Sequence, residues 1–167
     1  MAYDFNAEEV FEMAIRIEEN GAAFYRKAAD LQTKESDKAF LKRIAQMEDR
    51  HKAGFEEMKQ QVSDLEKSQT VFDPEQEQFR YLKAMADAHG GEGDPTIVDQ
   101  FTGNETMEDI IKTAIGLEKE SILFYLGLKD MVPKKLGGER IDAIIDEEKM
   151  HVAQLSGFLK KAQQASA

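Results

Sequence analysis

The chain contains an internal repeat in which matching residues stand one hundred positions apart. The matching polar residues are Glu18 and Glu118, Glu48 and Glu148, and His51 and His151. Their charged neighbours do not recur, since Lys119 stands where a second copy of Glu19 would be. Surface charges are free to vary between the two copies. The six constant residues are therefore predicted to share one site in a fold made of two related halves.

Four long segments carry apolar residues at the spacing of an α-helix. They cover about residues 7–30, residues 34–62, the stretch after Thr106 and the stretch after Gly137-Gly138. Asn6 and Thr106 are the predicted N-caps of the first and third segments, because each precedes an acidic residue by three positions. Short connections join the first segment to the second and the third to the fourth. Such connections favour antiparallel neighbours, so the segments are predicted to form two helical hairpins.

A long stretch, residues 63–103, separates the two hairpins. It is predicted to contain a short helix of its own, opened by Asp73-Pro74 and closed by Gly90-Gly91. The predicted fold is therefore all-α and covers residues 1–167 as a single domain. Two helical hairpins, joined by a long crossover containing a short helix, form a four-helix bundle.

The composition excludes several kinds of protein. Hydrophobic residues make up 41% and charged residues 33% of the 167 positions, which is too apolar for a disordered chain. The net charge of −11 argues against a nucleic-acid partner. The absence of cysteine excludes disulfides, thiolate zinc sites and iron–sulfur clusters. No apolar run has the length of a membrane span and the first residues lack a secretory-signal layout, so we expect no membrane partner and a cytoplasmic location.

Helical geometry brings the repeated polar residues together. Glu48 and His51, like their second copies, stand three positions apart and share one face of a helix. Glu18 lies fifteen residues before Thr33, in the first turn, and Glu48 lies fifteen residues after it. Antiparallel helices therefore place these two carboxylates at the same depth. The second hairpin repeats the spacing around Pro133.

Four carboxylates and two imidazoles in a bundle core require a counter-charge, since burying even one unpaired carboxylate is strongly unfavourable. Two divalent cations would neutralise the four negative charges. Oxygen-rich ligation with two imidazoles and no thiolate suits iron, with manganese as the alternative. The sequence therefore predicts two iron ions per chain, bound by Glu18, Glu48, His51, Glu118, Glu148 and His151.

These motifs resemble those of the ferritin-like di-iron carboxylate proteins, and among them the rubrerythrin type. The resemblance covers nearly the whole chain and implies a ferritin-like fold with a di-iron site. The motifs that carry it are Ala14-Ile15-x-x-Glu18 followed by Phe24-Tyr25, Glu48-x-x-His51, Ala114-Ile115-x-x-Glu118 followed by Phe124-Tyr125, and Glu148-x-x-His151.

The resemblance also implies a role for each of these residues. Glu18 and Glu118 would be terminal ligands, one to each iron. Glu48 and Glu148 would bridge the two irons, and His51 and His151 would each bind one iron. Tyr25 and Tyr125 would lie next to the ligands without binding metal themselves. The alternative for the two tyrosines is plain core packing with a satisfied hydroxyl.

The resemblance implies an oxidoreductase whose iron centre is oxidised by O₂ or hydrogen peroxide. Two departures qualify this expectation. Rubrerythrins carry a four-cysteine rubredoxin module, which this sequence lacks, so an external electron donor is expected. They also carry an extra glutamate three residues after the third-helix ligand, where this chain has Ser121, so iron is not expected to move between alternative ligands. A homodimer is expected from the family alone.

Two other functions fit parts of the pattern. An iron-binding or storage protein would use oxidation only to take up metal, although nothing after the fourth helix resembles a shell-forming fifth helix. A metal-free interaction bundle is disfavoured by the six inward polar residues. Glu19, Glu120 and Glu147 flank the repeated glutamates but are rotated by about 100–200° on their helices, so they are left out of the predicted ligand set. Met47 is predicted to be a filler residue of the core or surface.

Overall fold

The computed structural model describes residues 7–65, 77–88, 95–132, 134 and 137–165. Every regular element in these ranges is helical. The elements are α1 (Ala7–Asp30), α2 (Glu35–Leu65), α3 (Glu77–Ala88), a 3₁₀ helix (Pro95–Gln100), α4 (Met107–Met131) and α5 (Gly138–Ala165). The four long helices and the short crossover helix confirm the prediction. Within the described ranges, no helix is both long and apolar enough to cross a membrane.

Thr106 caps the first turn of α4, as predicted. Its side-chain oxygen accepts a hydrogen bond from the backbone N–H of Asp109, and the Asp109 carboxylate accepts one from the Thr106 N–H at 3.0 Å. This capping box satisfies backbone donors that have no partner inside the helix, so α4 begins at Met107. Gly137-Gly138 precedes the fourth long segment as predicted, and α5 begins at the second of these glycines. Three other predicted boundaries lie outside the described part of the chain, namely Asn6, Asp73-Pro74 and Gly90-Gly91.

Two apolar clusters fill the core. The first takes side chains from the earlier parts of α1 and α5 and from the later parts of α2 and α4, including Phe11, Phe55, Leu128 and Ile141. The second takes side chains from the opposite parts of the same four helices, including Phe24, Leu41, Ile110 and Leu155. It follows that α1 and α5 run in one direction and α2 and α4 in the other. Both hairpins are therefore antiparallel, as predicted.

The two described parts of the crossover pack against opposite apolar clusters. α3 contributes Leu82 to the first cluster, while the 3₁₀ helix, which the sequence did not predict, contributes Ile97 to the second. α3 lies close against α4 at Gly127, where a Cβ atom would approach the ring of Tyr81 to 2.7 Å. The Tyr81 hydroxyl donates a hydrogen bond to the carbonyl of Leu123 at 3.0 Å. The missing side chain at Gly127 thus allows the crossover helix to pack directly on the bundle.

Candidate metal centre

A layer of six polar side chains separates the two apolar clusters. They are Glu18 of α1, Glu48 and His51 of α2, Glu118 of α4, and Glu148 and His151 of α5. Each is at most 3% exposed. On every long helix these residues follow the same inward face as the core residues on either side of them, because they continue its helical spacing. The structure thus brings together all six residues that the sequence predicted as metal ligands.

The six side chains form two groups, each with four atoms that could hold a metal ion. The first group is Glu18, Glu48, His51 and Glu148, and the second is Glu48, Glu118, Glu148 and His151. Within each group the ligand atoms lie within 4.8 Å of one another. Two residues, Glu48 and Glu148, belong to both groups. These are the two glutamates for which the resemblance implies a bridging role.

Both histidines direct the same ring nitrogen toward the carboxylates. Nδ1 of His51 lies 2.8 Å from Oε1 of Glu148 and 3.4 Å from Oε2 of Glu18. Nδ1 of His151 lies 2.9 Å from Oε2 of Glu148 and 3.3 Å from Oε1 of Glu48. Glu148 therefore directs one oxygen toward each histidine, as a carboxylate shared by two ions would. Nδ1 is the atom that each histidine would offer to a metal.

Two buried tyrosines contact the glutamates that are not shared. The Tyr25 hydroxyl donates to Oε1 of Glu118, and the Tyr125 hydroxyl donates to Oε1 of Glu18. Each tyrosine thus reaches from its own hairpin to the glutamate of the other. The second oxygen of each glutamate, Oε2, faces a histidine. In Glu18 this oxygen lies 3.4 Å from Nδ1 of His51. The tyrosines occupy one oxygen of each glutamate and leave the other for the centre of the layer.

Protons balance part of the negative charge in the layer. Burial alone would lower the pKa of His51, but the surrounding carboxylates, led by Glu18, outweigh it and raise the pKa to about 9. Burial also opposes the charged form of His151, and the carboxylates led by Glu118 raise its pKa to about 12. Burial and three neighbouring carboxylates hold the pKa of Glu148 well above its usual range. Both imidazoles of the metal-free layer are therefore cationic at neutral pH.

Several buried atoms of the layer have no hydrogen-bond partner within the described residues. They are Oε2 of Glu18, Oε2 of Glu118, Oε1 of Glu148 and Nδ1 of His51. Nδ1 of His51 and Oε1 of Glu148 lie 2.8 Å apart as an ion pair, without a hydrogen bond between them. An unsatisfied buried polar atom costs about 1–3 kcal/mol. All four are atoms that bind metals, so a pair of divalent cations fits the layer and would satisfy them together. Carboxylate and imidazole ligands suit iron or manganese.

Glu147, which the sequence analysis left out of the ligand set, belongs to neither ligand group but contacts one of the histidines. Its carboxylate contacts Nε2 of His51 at 2.9 Å, although its side chain is 44% exposed. Glu147 is rotated away from the inward face of α5, but His51 crosses from α2 and directs its outer nitrogen toward the edge of the bundle. Met47 makes the corresponding contact with the other histidine, since its Sδ lies 3.3 Å from Nε2 of His151. The rotation of a single helix could not show contacts made across two hairpins.

Ser121 is the residue at which the resemblance to rubrerythrins leads one to look for an extra glutamate. It is 2% exposed, and its hydroxyl donates to the carbonyl of Leu117 at 3.1 Å. This bond runs along α4 itself, one turn back. The side chain is thus buried near the polar layer, one turn past Glu118, and supplies a hydroxyl there.

Comparisons with known proteins agree with this fold. Residues 6–161 match the family described as the ferritin-like domain. The fold is similar to the crystal structure of a Thermotoga maritima protein that is described as a ferritin-like diiron-carboxylate protein, with a TM-score of 0.67 and 22% identity over 97% of this chain and 99% of that one. A search of curated protein sequences finds no significant match. The predicted ferritin-like fold is confirmed, and because the family match covers nearly the whole sequence, the chain belongs to the ferritin-like domain family.

Proposed function

We propose that the chain binds two iron ions and acts as a di-iron oxidoreductase of the rubrerythrin type, whose iron centre is oxidised by O₂ or hydrogen peroxide. The observation that carries this proposal is the pair of overlapping ligand groups that share Glu48 and Glu148. One ion would need only one group. Two groups with two carboxylates in common are suited to a pair of ions.

Each ion would have one glutamate and one histidine of its own and would share the remaining two glutamates. The private ligands would be Glu18 and His51 for one ion and Glu118 and His151 for the other. Four carboxylates then balance two divalent cations, so the buried layer becomes neutral overall. Manganese is the alternative metal for the same oxygen and nitrogen ligands.

The bound ions would supply the electrons that reduce the oxidant. The chain's own residues would hold the ions, exclude water and manage protons. The two apolar clusters cover the layer from both ends of the bundle. Tyr25 and Tyr125 would keep the private glutamates oriented. The Nδ1 atoms of His51 and His151 would release their protons when metal binds, since a histidine binds metal in its neutral form.

The proposal includes an external electron donor, because this sequence has no cysteine with which to build a rubredoxin module. It also includes a homodimer, which rests on the resemblance alone. Ser121 bears on the choice of oxidant. A hydroxyl offers neither the charge nor the reach of a carboxylate, so we propose that iron keeps its ligands on oxidation and that O₂ competes well with peroxide.

The experiment that tests this function is anaerobic loading with Fe²⁺ followed by stopped-flow mixing with O₂ or hydrogen peroxide. We expect two irons per chain and rapid oxidation of both by either oxidant. Glu148→Ala is the matched control, since it removes a shared ligand. Oxidation no faster than that of free Fe²⁺ would contradict the proposed oxidoreductase activity. Loading far beyond two irons per chain, in a closed shell of subunits, would point instead to iron storage.

A further inference from the structure

The internal repeat places two different residues behind the two histidines. Met47 precedes Glu48, and Glu147 precedes Glu148, so they occupy matching positions one hundred residues apart. Each reaches across to the histidine of the other hairpin. Oε2 of Glu147 lies 2.9 Å from Nε2 of His51, whereas Sδ of Met47 lies 3.3 Å from Nε2 of the second histidine. One imidazole is thus backed by a carboxylate and the other by a thioether.

These two partners act differently on an imidazole that binds metal through Nδ1. A carboxylate accepts the Nε2 proton strongly, fixes the tautomer that leaves Nδ1 available, and increases the donor strength of the ring. A thioether sulfur is a weak acceptor and carries no charge. His51 is therefore held as a stronger and better oriented ligand than His151. Glu147 is 44% exposed, so its long-range attraction for a cation is partly screened and its contact with the ring carries most of the effect.

The contacts between the private glutamates and the tyrosines are matched in the two ligand groups. Each group has one private glutamate whose Oε1 accepts from a buried tyrosine, Tyr125 for Glu18 and Tyr25 for Glu118. Both groups share the same two glutamates. Two further differences are present. Nδ1 of His151 is hydrogen-bonded to Glu148 at 2.9 Å, whereas Nδ1 of His51 has no hydrogen-bond partner within the described residues. Ser121 stands where the first half has Gly21, and its hydroxyl bonds to a carbonyl of its own helix.

We propose that Glu147 and Met47 make the two metal positions unequal, so that the position of Glu18 and His51 binds a divalent ion more tightly and fills first. The position of Glu118 and His151 fills second and limits formation of the pair. This inference rests on the proposed function, because it requires two metal positions. Loss of a hydrogen-bonding partner behind a metal-binding histidine typically weakens metal binding by about 10–100-fold. At low metal supply the chain would therefore hold one ion, beside His51, and would remain inactive until the second arrives.

The repeat supplies the variants for a test. Glu147→Met gives both histidines a thioether, Met47→Glu gives both a carboxylate, and the double exchange M47E/E147M reverses the asymmetry. Glu147→Gln keeps the size of the side chain and is the substitute if Glu147→Met does not fold. Glu19→Met, at an exposed glutamate that pairs with Lys52, controls for the loss of a surface charge. Ser121→Gly controls for the difference between the halves at that position.

The measurement is anaerobic titration of the full chain with Fe²⁺ by calorimetry, combined with anomalous scattering from crystals given one equivalent of iron. For the unmodified protein we expect two binding steps, separated beyond the statistical spacing of equal positions, and the first ion beside His51. Glu147→Met should weaken the affinity of the first step by about tenfold, so that the affinities of the two steps become similar. Met47→Glu should tighten the second step. The double exchange should move the first ion beside His151, while both controls keep it beside His51.

Equal occupancy of both positions at one equivalent would overturn the inference while leaving the two-ion function intact. The inference would also fail if the first ion stayed beside His51 in the double exchange, or if Ser121→Gly equalised the two steps. A protein that binds no pair of ions under any loading would overturn the proposed function itself, and the inference with it. The number of ions bound at saturation therefore separates the two failures.

Discussion

The hydroxyl of Tyr25 donates a hydrogen bond to the carboxylate of Glu118, on the opposite hairpin. The contact is buried, and the repeat reproduces it between Tyr125 and Glu18. Each hairpin thus positions a glutamate of the other, so the polar layer ties together two halves that otherwise meet mainly through apolar side chains.

Removal of either tyrosine hydroxyl should therefore have nearly the same effect. Tyr25→Phe and Tyr125→Phe each leave a buried glutamate without its donor. A hydrogen bond to a charged group contributes about 1.5–3 kcal/mol, so we expect each variant to lose roughly that much stability in the metal-free state. Chemical denaturation measures the loss. Tyr81→Phe, which removes a more exposed hydroxyl on the crossover, is the control and should lose less. Unchanged stability in both buried variants would show that the hydroxyls do not hold the glutamates.

The shared glutamates should be essential for a pair of ions. We expect Glu48→Ala or Glu148→Ala to abolish paired binding, because each removes a ligand and a negative charge from both positions. Glu19→Ala should leave binding intact, since Glu19 faces outward and pairs with Lys52. Metal analysis of protein made in iron-replete cells measures the effect. Two ions per chain in both shared-ligand variants would refute the bridging role.

The metal-free protein should lose stability as the pH rises above neutrality. The pKa of His51 is raised from 6.5 to about 9 by its carboxylate neighbours, and that of His151 is raised further. A raised pKa in the folded state contributes stability that is fully present below pH 6.5 and is lost as the pH rises through the folded value. The raised pKa of Glu148 acts in the same direction. We therefore expect the melting temperature of the metal-free protein to fall between pH 6.5 and pH 9.

Metal-loaded protein is the control for that experiment, because its imidazoles have already released the Nδ1 proton that the metal replaces. Its melting temperature should not show the same fall. Calorimetry in buffers of different ionisation enthalpy should also show proton release when metal binds at pH 7. A metal-free protein whose melting temperature is constant over this pH range would contradict the assigned protonation of the two histidines.

Ser121 leads to a prediction about the redox states. Its hydroxyl bonds to the carbonyl of Leu117 and offers no alternative carboxylate to an iron near Glu118. We therefore expect the iron positions to agree closely in the oxidised and reduced proteins, and O₂ to oxidise the centre at a rate that competes with peroxide. Crystal structures in both states, combined with stopped-flow oxidation, provide the measurement. A strong preference for peroxide, with an iron displaced toward Ser121, would contradict this expectation.

The sequence predicted the fold well because its strongest signals are local. Helical spacing and the capping residue Thr106 defined the long helices, and the match between Glu18 and Glu118 related the two hairpins. The same spacing placed all six polar residues on inward faces, and the structure buries all of them together. The 3₁₀ helix at Pro95–Gln100 was not predicted, because its 6 residues are too few to show a period and it is held by the packing of Ile97.

The contacts of Glu147 and Met47 with the Nε2 atoms of the histidines could not be predicted from the periodicity of a single helix. Glu147 was left out of the predicted ligand set because it is rotated away from Glu148 on α5. Its partner, His51, comes from α2, so the contact depends on how the two hairpins pack. The repeat did contain a signal, since Met47 and Glu147 occupy matching positions and differ in charge. That difference has a meaning only once the outer nitrogens of the histidines are located.

An anomalous-scattering map of crystals grown from anaerobically iron-loaded protein is the most direct test of the paired metal centre. Data collected on both sides of the iron absorption edge would locate each ion without reference to its ligands. We expect two iron peaks per chain, one beside Glu18 and His51 and one beside Glu118 and His151, with Glu48 and Glu148 in contact with both. A single ion held by other residues, or a layer joined only by hydrogen bonds between its side chains, would contradict the di-iron centre.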